Sequence, residues 1–124
     1  MITEVVNIKT CLDFDPENNP QDVYIGRRQF YGRRFFAASG WGNPYLADKP
    51  GIKRDGTRAE VIQKYRQYIL GHPCYTFTGR LPQPGVLPSH LHELVGKRLG
   101  CWCKPEPCHG DVLKKLVEQL EVNE

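Results

Sequence analysis

Pro105 and Pro107 stand between two stretches of opposite pattern, and they dictate how this part of the chain can fold. Before them runs Arg98-Leu99-Gly100-Cys101-Trp102-Cys103, short and rich in apolar or small residues, which reads as a strand. A proline lacks the backbone donor and holds φ fixed, so Lys104-Pro105-Glu106-Pro107 cannot extend a ladder. After Cys108-His109-Gly110-Asp111 the apolar residues Val112, Leu113, Leu116, Val117 and Leu120 recur at the spacing of one helical face. The segment from Lys97 to Gln119 is therefore strand, loop and helix. Cysteines and a histidine gather where the strand's C-terminal end faces the helix start. Open α/β sheets bind ligands at that edge, and the free amides of a helix start favour an anion.

Within this corner the residue types suggest different duties. Cys101 and Cys103 are two apart, so an extended backbone points both to one face and Trp102 to the other. Cys101 reads as a small buried core residue. Cys108 precedes the helix, where the macrodipole is expected to lower its thiol pKa, and His109 can act as acid, base or donor. Cys108 and His109 are the candidate catalytic pair. Cys103, Lys104, Gly110 and Asp111 are candidate ligand contacts, although an aspartate in a first helical turn is also ordinary helix-start chemistry. Zinc deserves weighing, because Cys101, Cys103, Cys108 and His109 place four donors within nine positions. Structural zinc sites draw their knuckles from two chain segments, and the adjacent Cys108 and His109 can hardly face one metal. No metal ligands are assigned and no cofactor is expected; zinc is kept as an alternative.

The rest of the chain surrounds this corner. Its 124 residues suit one domain, taken as 1–124. Ile2 to Ile8 reads as a first strand and Val23-Tyr24-Ile25-Gly26 as a second, joined by a turn-rich connection. Gln29 to Gly56 shows no persistent period and reads as a long loop. Thr57 and Glu60 form a capping-box pattern, Val61, Ile62, Tyr65, Ile69 and Leu70 supply a helical face, and Gly71 closes it. His72 to Pro88 is a punctuated connection, and Pro88 to Val95 a short helix closed by Gly96. The order β-β-α-α-β-α fits a small α/β sandwich with a mainly parallel sheet. Five cysteines, an odd number, with no basic and apolar leader point to reduced thiols and a cytoplasmic location. No apolar run is long enough for a bilayer, so no membrane partner is expected.

Charge is uneven along the chain. The first 26 residues carry five acidic residues against Lys9, whereas from Arg27 to Arg58 eight basic residues face two acidic ones. A basic middle segment suggests an anionic ligand, with a solvated charged loop as the plainer reading. Gly26 and Arg27 end the second strand, and in a parallel sheet they share an edge with Cys103 to His109. Arg58, at a helix start, can join them. Ser39-Gly40-Trp41-Gly42-Asn43-Pro44-Tyr45 reads either as a turn anchored by a buried tryptophan or as a base-stacking platform. On the second reading Trp41 or Tyr45 stacks the base, and Ser39 and Asn43 hydrogen-bond it.

Taken together, these segments resemble a known family. Tyr24-Ile25-Gly26-Arg27, Ser39 to Tyr45, Arg58 with Val61 to Tyr65, and Leu99 to Leu113 with its Cys-x-Cys-x4-Cys-His-Gly-Asp core look like domain of unknown function 4326. That family is uncharacterised and common in phages and bacteria, and the resemblance runs from Val23 to Leu116. It implies membership but names no activity. More distantly, a strand ending in cysteine followed by Cys-His at a helix start is similar to domain of unknown function 488. That likeness implies a Rossmann-like, three-layer version of the α/β sandwich and a nucleotide-type ligand. An arginine of that family stands where this chain has Gly110, so Lys104 or Arg27 would have to take its anion contact.

The expected function is binding, with or without processing, of a nucleotide, nucleoside or ADP-ribose-like small molecule. If there is turnover, it is hydrolase or transferase chemistry. Two alternatives stand beside it. One is a phage protein that sequesters a nucleotide signal without turnover, in the host cytoplasm. The other is a structural zinc module making protein or nucleic-acid contacts, the nucleic-acid partner not being favoured.

Overall fold

The computed structural model describes residues 2–86 and 88–122. Its centre is a sheet of three parallel strands, β1 (Glu4–Asn7), β2 (Asp22–Tyr24) and a late strand Arg98–Cys101, in which the late strand lies in the middle. Two further strands, β3 (Gln29–Tyr31) and β4 (Arg34–Phe36), form a separate antiparallel hairpin, so the late central strand is β5. Helix α1 (Arg58–Ile69), a 3-10 helix (Pro88–Leu94) and helix α2 (His109–Val122) complete the fold. No helix among the described residues is long and apolar enough to cross a membrane. The α/β class and the parallel sheet expected from the element order are both present.

Alternation along the strands divides the molecule into layers. Val5, Val23, Ile25, Leu99 and Cys101 face the helices, where they pack with Val61, Tyr65, Ile69, Leu91, Leu113 and Val117. Val6, Tyr24 and Trp102 face the other way, into a smaller cluster with Ile8, Phe14 and Phe36. That second covering layer is made of irregular chain and the hairpin. Gly100 on β5 is required there, because the Phe14 ring fills the space that a side chain would take. At the N-terminal end of the sheet Arg98 Nε and Nη2 grip Asp22 Oδ1 and Oδ2 at 2.6 and 2.8 Å. The Asp22 side chain is fully buried, so this fork ties β5 to β2 through a desolvated pair.

Local signals set the helix ends. Thr57 Oγ1 accepts from the Glu60 amide, and Glu60 Oε1 accepts from the Thr57 amide at 3.0 Å, the reciprocal capping box. Gly71 leaves α1 at φ 91° and Gly96 leaves the 3-10 helix at φ 73°, both in the region that favours glycine. The hairpin is the main departure from the sequence expectation. Gln29 to Gly56 was expected to lack strands, yet Gly32 at φ 62° with Arg33 makes a two-residue turn between β3 and β4. Positive φ at the first turn position alone matches the II′ class of hairpin. Strands of three residues are too short to display a period of two.

Candidate functional site

Because β1, β5 and β2 run parallel, their C-terminal ends share one edge. There Ile25 N donates to Gly100 O at 3.1 Å, and Ile8 N donates to Cys101 O at 3.0 Å. The chain leaves β5 through Trp102 and Cys103 and turns where Glu106 N donates to Cys103 O at 2.7 Å. It then enters α2 at His109. Asp111 closes this helix start, its Oδ2 accepting from Cys108 N at 3.1 Å while Lys104 pairs with Oδ1. Gly110 lets α2 lie on the sheet, since a methyl there would come within 2.9 Å of Ile25 Cδ1 and Val5 Cγ1.

A cavity of about 230 Å³ opens at this edge. Cys101, Cys103, Cys108 and His109 line it from β5 and α2, Gly26 and Arg27 from the end of β2, and Arg58, Val61 and Ile62 from α1. Asn43, Tyr45 and Ala47 of the long loop, with Gln29, Trp102 and Pro107, complete the wall. Cys101 and Cys103 share the helix-side core while Trp102 joins the opposite cluster, as their spacing predicts.

The three thiols are pushed in different directions. Cys101 Sγ and Cys108 Sγ are 3.4 Å apart and both residues are buried. A hydrogen bond from the Cys108 thiol, opposed by burial and reinforced by the guanidiniums of Arg58 and Arg27, brings Cys103 down to about 6. Donation from Cys108 likewise brings Cys101 down to about 7, with burial and the neighbouring Cys103 opposing it. Cys108 moves the other way. Its proton serves Cys101 and Cys103, and burial adds to the upward push, against only the Gly110 amide. The expectation that the helix start would acidify Cys108 is thus reversed. Cys103, the sulfur that faces both arginines, is the thiol pushed furthest toward the thiolate.

His109 Nε2 lies 2.6 Å from Ile25 O. A carbonyl oxygen only accepts, so Nε2 carries the hydrogen and, in the neutral ring, Nδ1 carries the lone pair. Burial pushes the imidazole pKa down, and the Ile25 carbonyl offsets this only in part. The ring stands edge-on to Tyr65 at 4.8 Å, and Tyr65 Oη donates to Trp41 O at 2.6 Å. His109 is therefore a neutral, firmly oriented base.

The remaining candidates divide between wall and scaffold. Arg27 spends Nε and Nη2 on the carbonyls of Asn43 and Tyr45, at 3.0 Å and 2.8 Å from Nη2, and so pins the long loop to the end of β2. Arg58 Nη1 donates to Pro107 O at 3.2 Å, joining α1 to the loop before α2. Asn43 lines the cavity, but its side chain donates to Val61 O and accepts from Tyr45 N. Ser39 Oγ donates to Tyr24 O at 2.8 Å, and Trp41 is buried in the main core. Ser39, Trp41, Lys104, Gly110 and Asp111 therefore lie outside the cavity wall, and the aromatic residue of the loop that lines it is Tyr45, itself buried in the main core. Tyr45 Oη donates to Cys74 O at 2.8 Å, and burial with this neighbour pushes its phenol up to about 12. Sequence reasoning missed Gln29, Ala47, Val61, Ile62, Trp102 and Pro107 as wall residues. Val61 and Ile62 were findable, one helical turn on from Arg58. Among the described residues no group of three or more His, Cys, Asp or Glu is arranged to hold a metal ion.

Comparison with known proteins agrees with the sequence resemblance. The family described as "Domain of unknown function (DUF4326)" matches residues 12–119. An "Uncharacterized 12.4 kDa protein in nrdA-td intergenic region" of Enterobacteria phage T4 is 35% identical over 80 residues. The match covers 64% of this chain and 61% of the phage protein, so the chain spans about three fifths of that relative's length. No solved structure matches the chain.

Proposed function

The chain belongs to the DUF4326 family, and since that name carries no activity, we propose from the cavity itself that it binds a nucleotide-type small anion. One observation carries this reading: two guanidinium groups and a thiolate converge on a small cavity at the C-terminal edge of a parallel sheet. In open α/β sheets that edge is the usual place for such ligands. A volume of about 230 Å³ suits a nucleoside-sized fragment. It falls below the several hundred Å³, roughly 300–1,000, of sites that enclose larger ligands. The base and sugar would fill the cavity against Tyr45, Val61 and Ile62, with phosphate at the rim beside Arg27 and Arg58. If the ligand is processed, Cys103 is the nucleophile that the electrostatics favour, and His109, on the same cavity wall, is the candidate base toward the ligand.

Native mass spectrometry of the purified protein tests this, alone and mixed with NAD, ADP-ribose, nucleosides and nucleoside triphosphates. A retained ligand mass that Arg58→Ala diminishes is the expected result. Change of that mass with time would mark turnover. Folded protein that retains no member of the panel would overturn the reading.

A further inference from the structure

The β3–β4 hairpin carries a face that the core does not use. Pairing sets Gln29 opposite Phe36, Phe30 opposite Phe35 and Tyr31 opposite Arg34, so alternate pairs face opposite ways. Phe36 is buried in the smaller cluster, and Tyr31 rests on Trp102 with ring centroids 5.3 Å apart. Phe30 and Phe35 therefore face outward. Their rings lie 4.9 Å apart, and the residues are 67% and 43% exposed. The Arg28 guanidinium sits 5.4 Å over the Phe35 ring, and Arg33 occupies the turn beyond. No acidic residue occurs between Arg27 and Ala47. The neighbouring cleft, which Arg33 and Phe35 also line, carries Asp13, Asp15 and Glu17; Asp13 is held by Arg98 at 3.1 Å and Asp15 by Asn18 at 2.9 Å, so two of these three carboxylates are engaged within the protein.

We propose that this hairpin is a binding surface for single-stranded nucleic acid. Bases stack on Phe30 and Phe35, and Arg28 and Arg33 meet the phosphates. Aromatic rings interleaved with arginines are what an unpaired strand needs, because every base offers a π-face and every step a negative charge. An apolar protein surface would cover the two rings and leave the arginines without counter-charge. A duplex keeps its bases stacked inside and offers the rings nothing. The proposal does not depend on what fills the cavity, although Arg27 and Gln29 place the hairpin beside its mouth.

Fluorescence anisotropy with a labelled oligothymidylate of about fifteen nucleotides, titrated at several salt concentrations, tests it. Binding should weaken as salt rises. The double variant Phe30→Ala/Phe35→Ala should bind at least about tenfold more weakly, whereas Phe30→Tyr/Phe35→Tyr stays close to the parent. Arg28→Ala should flatten the salt dependence. Unchanged melting and circular dichroism would show that these surface variants fold. Equal binding by the alanine double variant, or by a duplex of the same length, would overturn the proposal. So would a parent dimer in sedimentation that the alanine variant converts to monomer, since the face would then join two copies of this chain.

Discussion

Arg58 and Cys103 lie on different elements, α1 and the exit of β5, and the arginine's hydrogen bond and charge help hold the cysteine as a thiolate near neutral pH. The same arginine reaches Pro107 O, so its position is set by the loop that presents the thiol.

The clearest consequence is selective reactivity. Alkylation by iodoacetamide, followed by peptide mass spectrometry across pH, should label Cys103 with a midpoint near the value of about 6. The buried Cys101 and Cys108 should react far more slowly. Arg58→Ala should move the Cys103 midpoint upward, toward the ordinary thiol value of about 8.5. Preferential labelling of Cys108 would contradict the charge assignment.

A ligand in the cavity should shield that sulfur. Adding the nucleotide retained in native mass spectrometry should slow Cys103 labelling and leave the chemistry of the half-buried Cys11, outside the cavity, unaffected. Labelling at an unchanged rate in saturating ligand would move the binding site elsewhere.

The Arg98–Asp22 fork predicts acid sensitivity. Burial works to raise the Asp22 carboxyl, but the Arg98 bonds and the Asp15 amide outweigh it, and the net shift is downward. The unfolded state then binds the proton more readily. Stability from this pair is present above the unfolded carboxylate value of about 3.9 and is lost as pH falls through the lower folded value. Arg98→Ala should cost about 3–5 kcal/mol at neutral pH, since it leaves a buried carboxylate without its counter-charge and with the Asp15 amide as its remaining donor. Urea denaturation of parent and variant measures both effects.

His109 adds a second slope, at higher pH. Its folded pKa is pushed down by burial, so the unfolded chain takes up the proton first as pH drops below about 6.5. Stability from the neutral ring is full above that point and declines below it, toward the folded value. His109→Gln can still donate to Ile25 O and should flatten the slope between pH 7 and 5, read by urea midpoints. An unaltered slope would mean that another group is responsible.

Close packing of α2 on the sheet gives a direct structural check. Gly110→Ala meets Ile25 Cδ1 and Val5 Cγ1 at 2.9 Å, and Gly100→Ala meets the Phe14 ring. Each should destabilise by roughly 1–3 kcal/mol, the usual cost of overpacking, measured as a lower melting temperature.

Much of the frame was legible from neighbouring residues alone. Thr57 with Glu60, Gly71, Gly96 and the Pro105–Pro107 break are signals that act over a few positions, and the structure uses each of them. The Cys101/Trp102/Cys103 alternation also followed directly, because the two faces of a strand are a local property. The hairpin was not legible, since its strands hold too few residues to show a period. Trp41 and Ser39 were ambiguous for another reason. Whether an aromatic residue in a glycine-rich turn stacks a ligand or anchors a core depends on what surrounds it, here the main core that Trp41 joins.

By itself, the sequence determined the order of the three parallel strands and the helices, though not the hairpin, and the gathering of cysteines and His109 at one sheet edge. Those follow from short-range sterics, capping and apolar spacing. Only the tertiary structure decided which sulfur is charged. That choice depends on a proton shared among Cys101, Cys103 and Cys108 and on Arg27 and Arg58, which are far away in sequence. Electrostatic energy depends on distance through space, and it is the fold that sets that distance.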